Sequence, residues 1–317
     1  MIDFEQLDYL NNGNELQQKA YRLLTAHRVF EKLAAFQPVL TGTIPINIAI
    51  AGSDLDVICQ WTTPQDFRQA LISHFNEKKD FELREATVNG QQTIMANFKI
   101  EDLALEIFGQ ALPVQQQHAY RHMLIEHQIL TDKGEHFRQQ IVALKNQGYK
   151  TEPAFAQLLR LEGNPYEALL AYKIFRQATS ADIKPMQIVR NSVNENRLSD
   201  PNLVSDADCE EFINHRGRGW VCEIDQQIVG FAIADLQAQN IWALFVLPQF
   251  EQQGIGQRLH QLMLDWYFAQ GHLHVWLSTA PGTRAEAFYQ KAGWKATGMQ
   301  GKEIRFEMNL TDWKKRN

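Results

Sequence analysis

Two sets of residues in this chain have the types and spacing for chemistry. Asp54 and Asp56 stand in AGSDLDVICQ (51–60), at the head of an apolar run that reads as a strand. Residues two apart on a strand face the same side, so both carboxylates converge on one point. Such a pair on an otherwise apolar strand is costly unless a metal ion or a positive group compensates it. Gly254 and Gly256 stand in FVLPQFEQQGIGQRL (245–259), where a strand pattern turns into a helix pattern. The free N–H groups and dipole of a helix start bind anions, and the missing side chains let phosphates approach the backbone. A third set, His118, His122 and Glu126, is spaced four apart on one helix face, a spacing that can bind a metal. It is not HExxH and no further ligand accompanies it, so a solvated helix face is the expectation.

These residues need elements to hold them. Leu16 to Phe36 carries apolar residues at three- and four-residue intervals and predicts a helix that stops before Pro38. Short strands are predicted over 39–45, 54–61, 81–88, 93–98 and 103–108, with Asn89-Gly90 as a hairpin turn and a helix opening at Thr63-Pro64. Residues 115–177 read as helical, which gives a small mixed sheet followed by a helical tail. Ala178 to Pro185 lacks large apolar residues and reads as a linker. Beyond it, strands are predicted over 220–224, 228–236, 241–247 and 274–277. Helices follow the glycines at 254 and 256 and span Thr283 to Ala292. Trp220, Trp242, Trp276 and Trp294 are read as core residues.

With 317 residues the chain has room for two cores. Hydrophobic residues at 44% and charged at 21% exclude disordered and fibrous classes. Residues 1–178 hold 17 Lys+Arg against 21 Asp+Glu, and the remainder 14 against 16. Neither half therefore offers a global basic surface for nucleic acid or anionic membrane, and neither partner is expected. Cys59, Cys209 and Cys222 are widely spread without CxxC, and no signal peptide or spanning segment is visible, which together predict a cytoplasmic protein.

The stretch IWALFVLPQFEQQGIGQRLHQLMLDWY followed by LSTAPGTRAEAFYQKAGW resembles the GNAT superfamily of N-acetyltransferases over about residues 187–310. The resemblance implies an acetyl-coenzyme A pyrophosphate loop at Gln252, Gln253, Gly254, Ile255, Gly256 and Gln257. It also implies pairing of the pantetheine arm along Leu244, Phe245 and Val246, and Tyr289 as the acid that protonates the departing thiolate. Glu251 stands where the family has Gln or Arg, and Gly282 where it often has Asn. Trp242 occupies the strand position of a possible general base, which leaves water, Glu223 or Asp235 to take the amine's proton. The acceptor is expected to be an amine of a small molecule or a protein; the oligomeric state is not specified.

TGTIPINIAIAGSDLDVIC resembles the minimal nucleotidyltransferase superfamily, whose pattern is a Gly-Ser turn and then DxD, and looks like an uncharacterised bacterial family within it over about 1–175. That resemblance implies nucleotide contacts at Gly42 and Thr43, and Glu106 as a third carboxylate joining Asp54 and Asp56 on Mg²⁺. A nucleoside triphosphate would then donate a nucleotide to a hydroxyl. The loop IPINIAIAG is nearly all apolar where such enzymes carry Arg or Lys, which favours an inactive binding or self-association module instead. The expectation is an α/β (α+β) protein of two domains: 1–178, a nucleotidyltransferase-like mixed sheet with a helical tail, and 179–317, a GNAT acyltransferase fold.

Overall fold

The computed structural model describes residues 2–193 and 203–315. The chain is mixed α/β, with two compact units dividing between Ala171 and Tyr172, each with its own sheet and core. Among the described residues no helix is long and apolar enough to cross a membrane.

In the N-terminal unit, α1 (Glu15–Ala26) starts at an Asn14–Gln17 capping box and is followed by α2 (Val29–Lys32). The strands are β1 (Val39–Thr41), β2 (Leu55–Gln60), β3 (Lys79–Val88), β4 (Gln91–Ile100) and β5 (Leu103–Gln110), with α3 (Pro64–Phe75) between β2 and β3. They lie in the order β1-β2-β5-β4-β3, parallel only between β2 and β5. Alternation along β2 buries Leu55, Val57 and Cys59 and turns Asp54 and Asp56 to the other side. Gly109 is glycine because the Phe67 ring fills the space of a Cβ there. The helical tail is α4 (His118–Asn146), interrupted at Gly134 (φ 78°), then α5 (Thr151–Leu159) and α6 (Pro165–Leu170).

The C-terminal unit begins earlier than position 179. Ile174–Gln177, expected to be helical, forms β6 and pairs antiparallel with β7 (Gly217–Ile224). The expected linker is structured as well: Thr179 and Asp182 form a capping box, and α7 (Ile183–Ser192) takes Pro185 into its first turn, where a missing N–H costs nothing. The remaining elements are α8 (Asp206–Glu211), β8 (Gln227–Asp235), β9 (Asn240–Val246), α9 (Ile255–Ala269), β10 (His274–Thr279), α10 (Arg284–Lys291), β11 (Lys295–Gln300), β12 (Glu303–Asn309) and α11 (Leu310–Lys314). Their sheet runs β11-β12-β10-β9-β8-β7-β6. Strands β9 and β10 are parallel and joined at one register pair, Trp276 with Asn240, near their starts. Past that pair the sheet is open between them.

Candidate active site

That opening leads into a cleft of about 550 Å³ between β9, the start of α9 and α10. Leu244, Phe245 and Val246 line it from β9. On their other side these residues pair with β8, so the main-chain groups facing β10 are left to a ligand. At the cleft's end, Gln252 (φ 59°) and Gly254 (φ 80°) are left-handed while Gln253 between them is not, an alternation that curls successive N–H groups into an anion-binding nest. Gly254 is the N-cap of α9 and no side chain caps that helix start. Gly256 would accommodate a Cβ in ordinary contact with Val246, so its value lies in access from the cleft. Gln252, Ile255 and Gln257 also line the cleft, and Gln253 holds the Lys173 ammonium on its carbonyl at 2.8 Å.

The acid at the mouth of this loop is neutralised. Glu251 accepts a hydrogen bond from Arg284, the first residue of α10, so its charge is compensated from the facing helix. No sequence motif pairs positions 251 and 284; only the fold does. Arg284 and Lys291 line the cleft, so its walls fit a polyanion with an apolar arm, which is the chemistry of acetyl-coenzyme A.

Tyr289 also lines the cleft, 7% exposed, packed among His260, Phe288, Trp294 and Phe306. Burial raises its phenol well above the ordinary value, so it holds its proton at neutral pH. Beneath it, His260 accepts a hydrogen bond from Trp294 Nε1 at 2.9 Å, and desolvation lowers its pKa to about 4. His260 is thus a neutral core residue. The two candidate bases are committed elsewhere. Asp235 is fully buried, paired with Arg216 and capped by the Gln237 and Ala238 amides. Glu223 is held by Arg176, which also binds Asp182. Both are structural, which corrects their reading as bases. Of the four tryptophans, Trp220 and Trp294 are core, Trp276 donates to the Ala238 carbonyl beneath the Arg305 guanidinium, and Trp242 is only partly buried.

In the N-terminal unit the fold brings Asp54, Asp56 and Glu106 together. Asp56 and Glu106 are register partners on parallel β2 and β5, and Asp54 stands two residues before Asp56. Desolvation, then the charges of Asp54 and Glu106, raise Asp56 to about 7, opposed by Lys145. Glu106 is raised by desolvation and by Asp54. Gly42 (φ 78°) closes this site from β1: a Cβ there would collide with Asp56 Oδ2. The Thr43 carbonyl instead closes the next turn by accepting from the Ile48 N–H at 3.1 Å.

The cations absent from IPINIAIAG come from α4. Lys145 donates to the Ile48 carbonyl at 2.8 Å, and Arg138 to the Ile46 carbonyl at 2.6 Å. On the other flank, Asn97, with its amide turned to satisfy both neighbours, donates to Glu106 and accepts from Arg84. Of these groups Lys145 acts on Asp56, and Arg84 and Asn97 on Glu106, and they offset the acids only in part, since both carboxyls stay raised. Among the described residues no group of three or more His, Cys, Asp or Glu is placed to hold a metal ion, so the expectation of Mg²⁺ on Asp54, Asp56 and Glu106 is not met by this arrangement. The solvated face expected for His118, His122 and Glu126 holds for His118, which is exposed, and is corrected for the other two. His122 and Glu126 are buried against the helical tail, with His122 Nε2 3.0 Å from the Tyr166 carbonyl and Nδ1 3.6 Å from Glu152.

Residues 186–294 match the model of the acetyltransferase (GNAT) family, and residues 22–172 that of a domain of unknown function, DUF4269. No curated protein matches the chain in sequence. Among solved structures the chain is similar to the PaiA N-acetyltransferase of Thermoplasma acidophilum in complex with coenzyme A, at 17% identity over 44% of this chain and 99% of that one, TM-score 0.40. It is similar to the ribosomal-protein-S18-alanine N-acetyltransferase of Escherichia coli at 16% identity over 44% and 93%, TM-score 0.37. A Staphylococcus aureus N-acetyltransferase shares 15% identity over 44% and 99%, TM-score 0.38.

Proposed function

We propose, from a C-terminal unit with the GNAT acetyltransferase fold, that this chain transfers an acetyl group from acetyl-coenzyme A to a primary amine. The observation that carries the reading is the cleft itself: an uncapped helix start behind a left-handed glycine, an unpaired strand edge, and a protonated tyrosine in one wall. Residues 252–257 would hold the pyrophosphate on backbone amides, and Leu244 to Val246 the pantetheine arm. Bound there, acetyl-coenzyme A would supply the thioester that the amine attacks, forming a C–N bond as the C–S bond breaks. Tyr289 holds a proton for the departing sulfur. With Glu223 and Asp235 both in ion pairs, the amine's proton is left to water. Calorimetric titration of the full chain with acetyl-coenzyme A tests the reading: saturable binding that Gly254→Val abolishes is expected, and absence of binding to the wild type refutes it.

For the N-terminal unit, transfer of a nucleotide to a hydroxyl remains a second reading, favoured by the convergence of Asp54, Asp56 and Glu106 against Gly42. The alternative is a substrate-binding or self-association module. Nucleoside triphosphates titrated with and without Mg²⁺ decide between them: stabilisation that Asp54→Asn with Asp56→Asn removes supports a nucleotide site, and no shift with any nucleotide leaves the module reading.

A further inference from the structure

Arg190, on α7, is 6% exposed, and its Nε and Nη2 make no hydrogen bond among the described residues. Those two N–H groups form one edge of the guanidinium, the edge whose spacing matches the two oxygens of a carboxylate. The same edge of Arg176, in the same unit, is filled by Glu223 at 3.2 and 2.9 Å. A buried charged donor without a partner is expensive, and side chains left in that state in a well-packed site point to a missing ligand.

The plane of Arg190 is fixed by aromatic rings. Its guanidinium carbon lies 4.3 Å from the Trp242 ring centre, 5.6 Å from Phe245 and 5.7 Å from Phe231. Phe212 stacks on Trp242 at 4.0 Å, with the rings 18° apart. Residues three apart on a regular strand would face opposite ways, but Trp242 is the extra residue of a β-bulge between Ile241 and Ala243, which sets it on the same face as Phe245. Rings on that bed hold the fork still and keep water from it.

The placement says which ligand would fill the fork. Val193, one turn beyond Arg190 at the end of α7, and Phe245 both line the cleft. The phosphate loop follows the C-terminal end of β9, whereas Trp242 lies towards its start, so Arg190 stands at the end where the acetyl group and its acceptor meet. We propose that Arg190 binds a carboxylate of the acceptor, so that the substrate is an amine that carries a carboxylate, an amino acid or a close relative. A polyamine would bring a second cation against the guanidinium and be repelled. This rests on the acetyl-transfer reading above.

The test uses the full chain saturated with coenzyme A and matched pairs: phenylalanine with phenethylamine, lysine with cadaverine, methionine with its amide. Saturable thermal stabilisation is expected from at least one carboxylate, with its partner weaker by about tenfold or more. Arg190→Lys, which keeps the charge and loses the fork, and Arg190→Met, which keeps the stacking volume, should erase that difference while acetyl-coenzyme A affinity stays within about twofold. Equal binding of the partners, or no stabilisation by any carboxylate, overturns the assignment. Failure of the wild type to bind acetyl-coenzyme A overturns the acetyl-transfer reading instead.

Discussion

Replacing Asp56 by Asn should stabilise the N-terminal unit, and do so more at high pH than at low. The folded protein raises this carboxyl from 3.8 to about 7, through desolvation and the neighbouring Asp54 and Glu106. An acid whose pKa is raised by folding binds more protons in the folded state, so stability is highest below pH 3.8 and falls as pH climbs towards 7. At about 1.4 kcal/mol per pH unit, the shift amounts to an upper limit of about 4 kcal/mol at pH 8, and under about 2 kcal/mol at pH 5. Asn has nearly the same shape and no charge, and no side-chain hydrogen bond of Asp56 is lost with it. Urea denaturation of the full chain at both pH values measures the gain, and hydrogen exchange of the peptide spanning β2 assigns it to this unit. A loss of stability at pH 8, or a gain of the same size at both pH values, would refute the charge argument.

Four further outcomes follow from the same physics. Folding lowers His260 from 6.5 to about 4, so the C-terminal unit should lose about 3 kcal/mol as pH falls through that window, and a His260→Gln variant should lose that part of its pH dependence in urea melts at pH 4 and 7. Tyr289→Phe should cut acetyl transfer about a hundredfold with acetyl-coenzyme A affinity unchanged, read as kcat against Kd; unchanged kcat removes the tyrosine from the chemistry. Arg284→Ala should weaken acetyl-coenzyme A binding by about tenfold by exposing Glu251 to the phosphates, and Glu251→Gln in the same chain should restore it, measured by calorimetry. Gly42→Ala should cost about 2 kcal/mol or more of N-terminal stability, because φ 78° and Asp56 Oδ2 both oppose a Cβ.

Where the sequence is legible, local pattern and fold agree. Alternation along β2 and β5 is enough to bring Asp56 and Glu106 to one face, since their parallel register is set by buried neighbours on the opposite face. Gly254 marks the turn from β9 to α9 because its left-handed backbone favours glycine, and Gly256 keeps the helix start open to the cleft. What escapes the sequence depends on partners distant in the chain. Nothing local marks Ile174 to Gln177 as a strand; β7 supplies its hydrogen bonds. Pro185, read as a linker's end, lies inside a helix. Lys145 and Arg138 reach a loop about ninety residues earlier, so the apolar run hides the cations that serve it. Arg190 is an ordinary helix residue until the bulge at Trp242 places an aromatic bed beneath it.

The single pair between β9 and β10 has a mechanical consequence. Seven strands make one sheet by order, but hydrogen bonding divides them into a four-stranded piece, β6 to β9, and a three-stranded piece, β10 to β12, stitched at Asn240 and Trp276. A ligand lying along residues 244–246 would act as the absent length of strand and bind the two pieces into one cooperative block. Cofactor would then double as a structural member, and slow amide exchange should spread from β9 across the seam when it is present and retreat when it leaves.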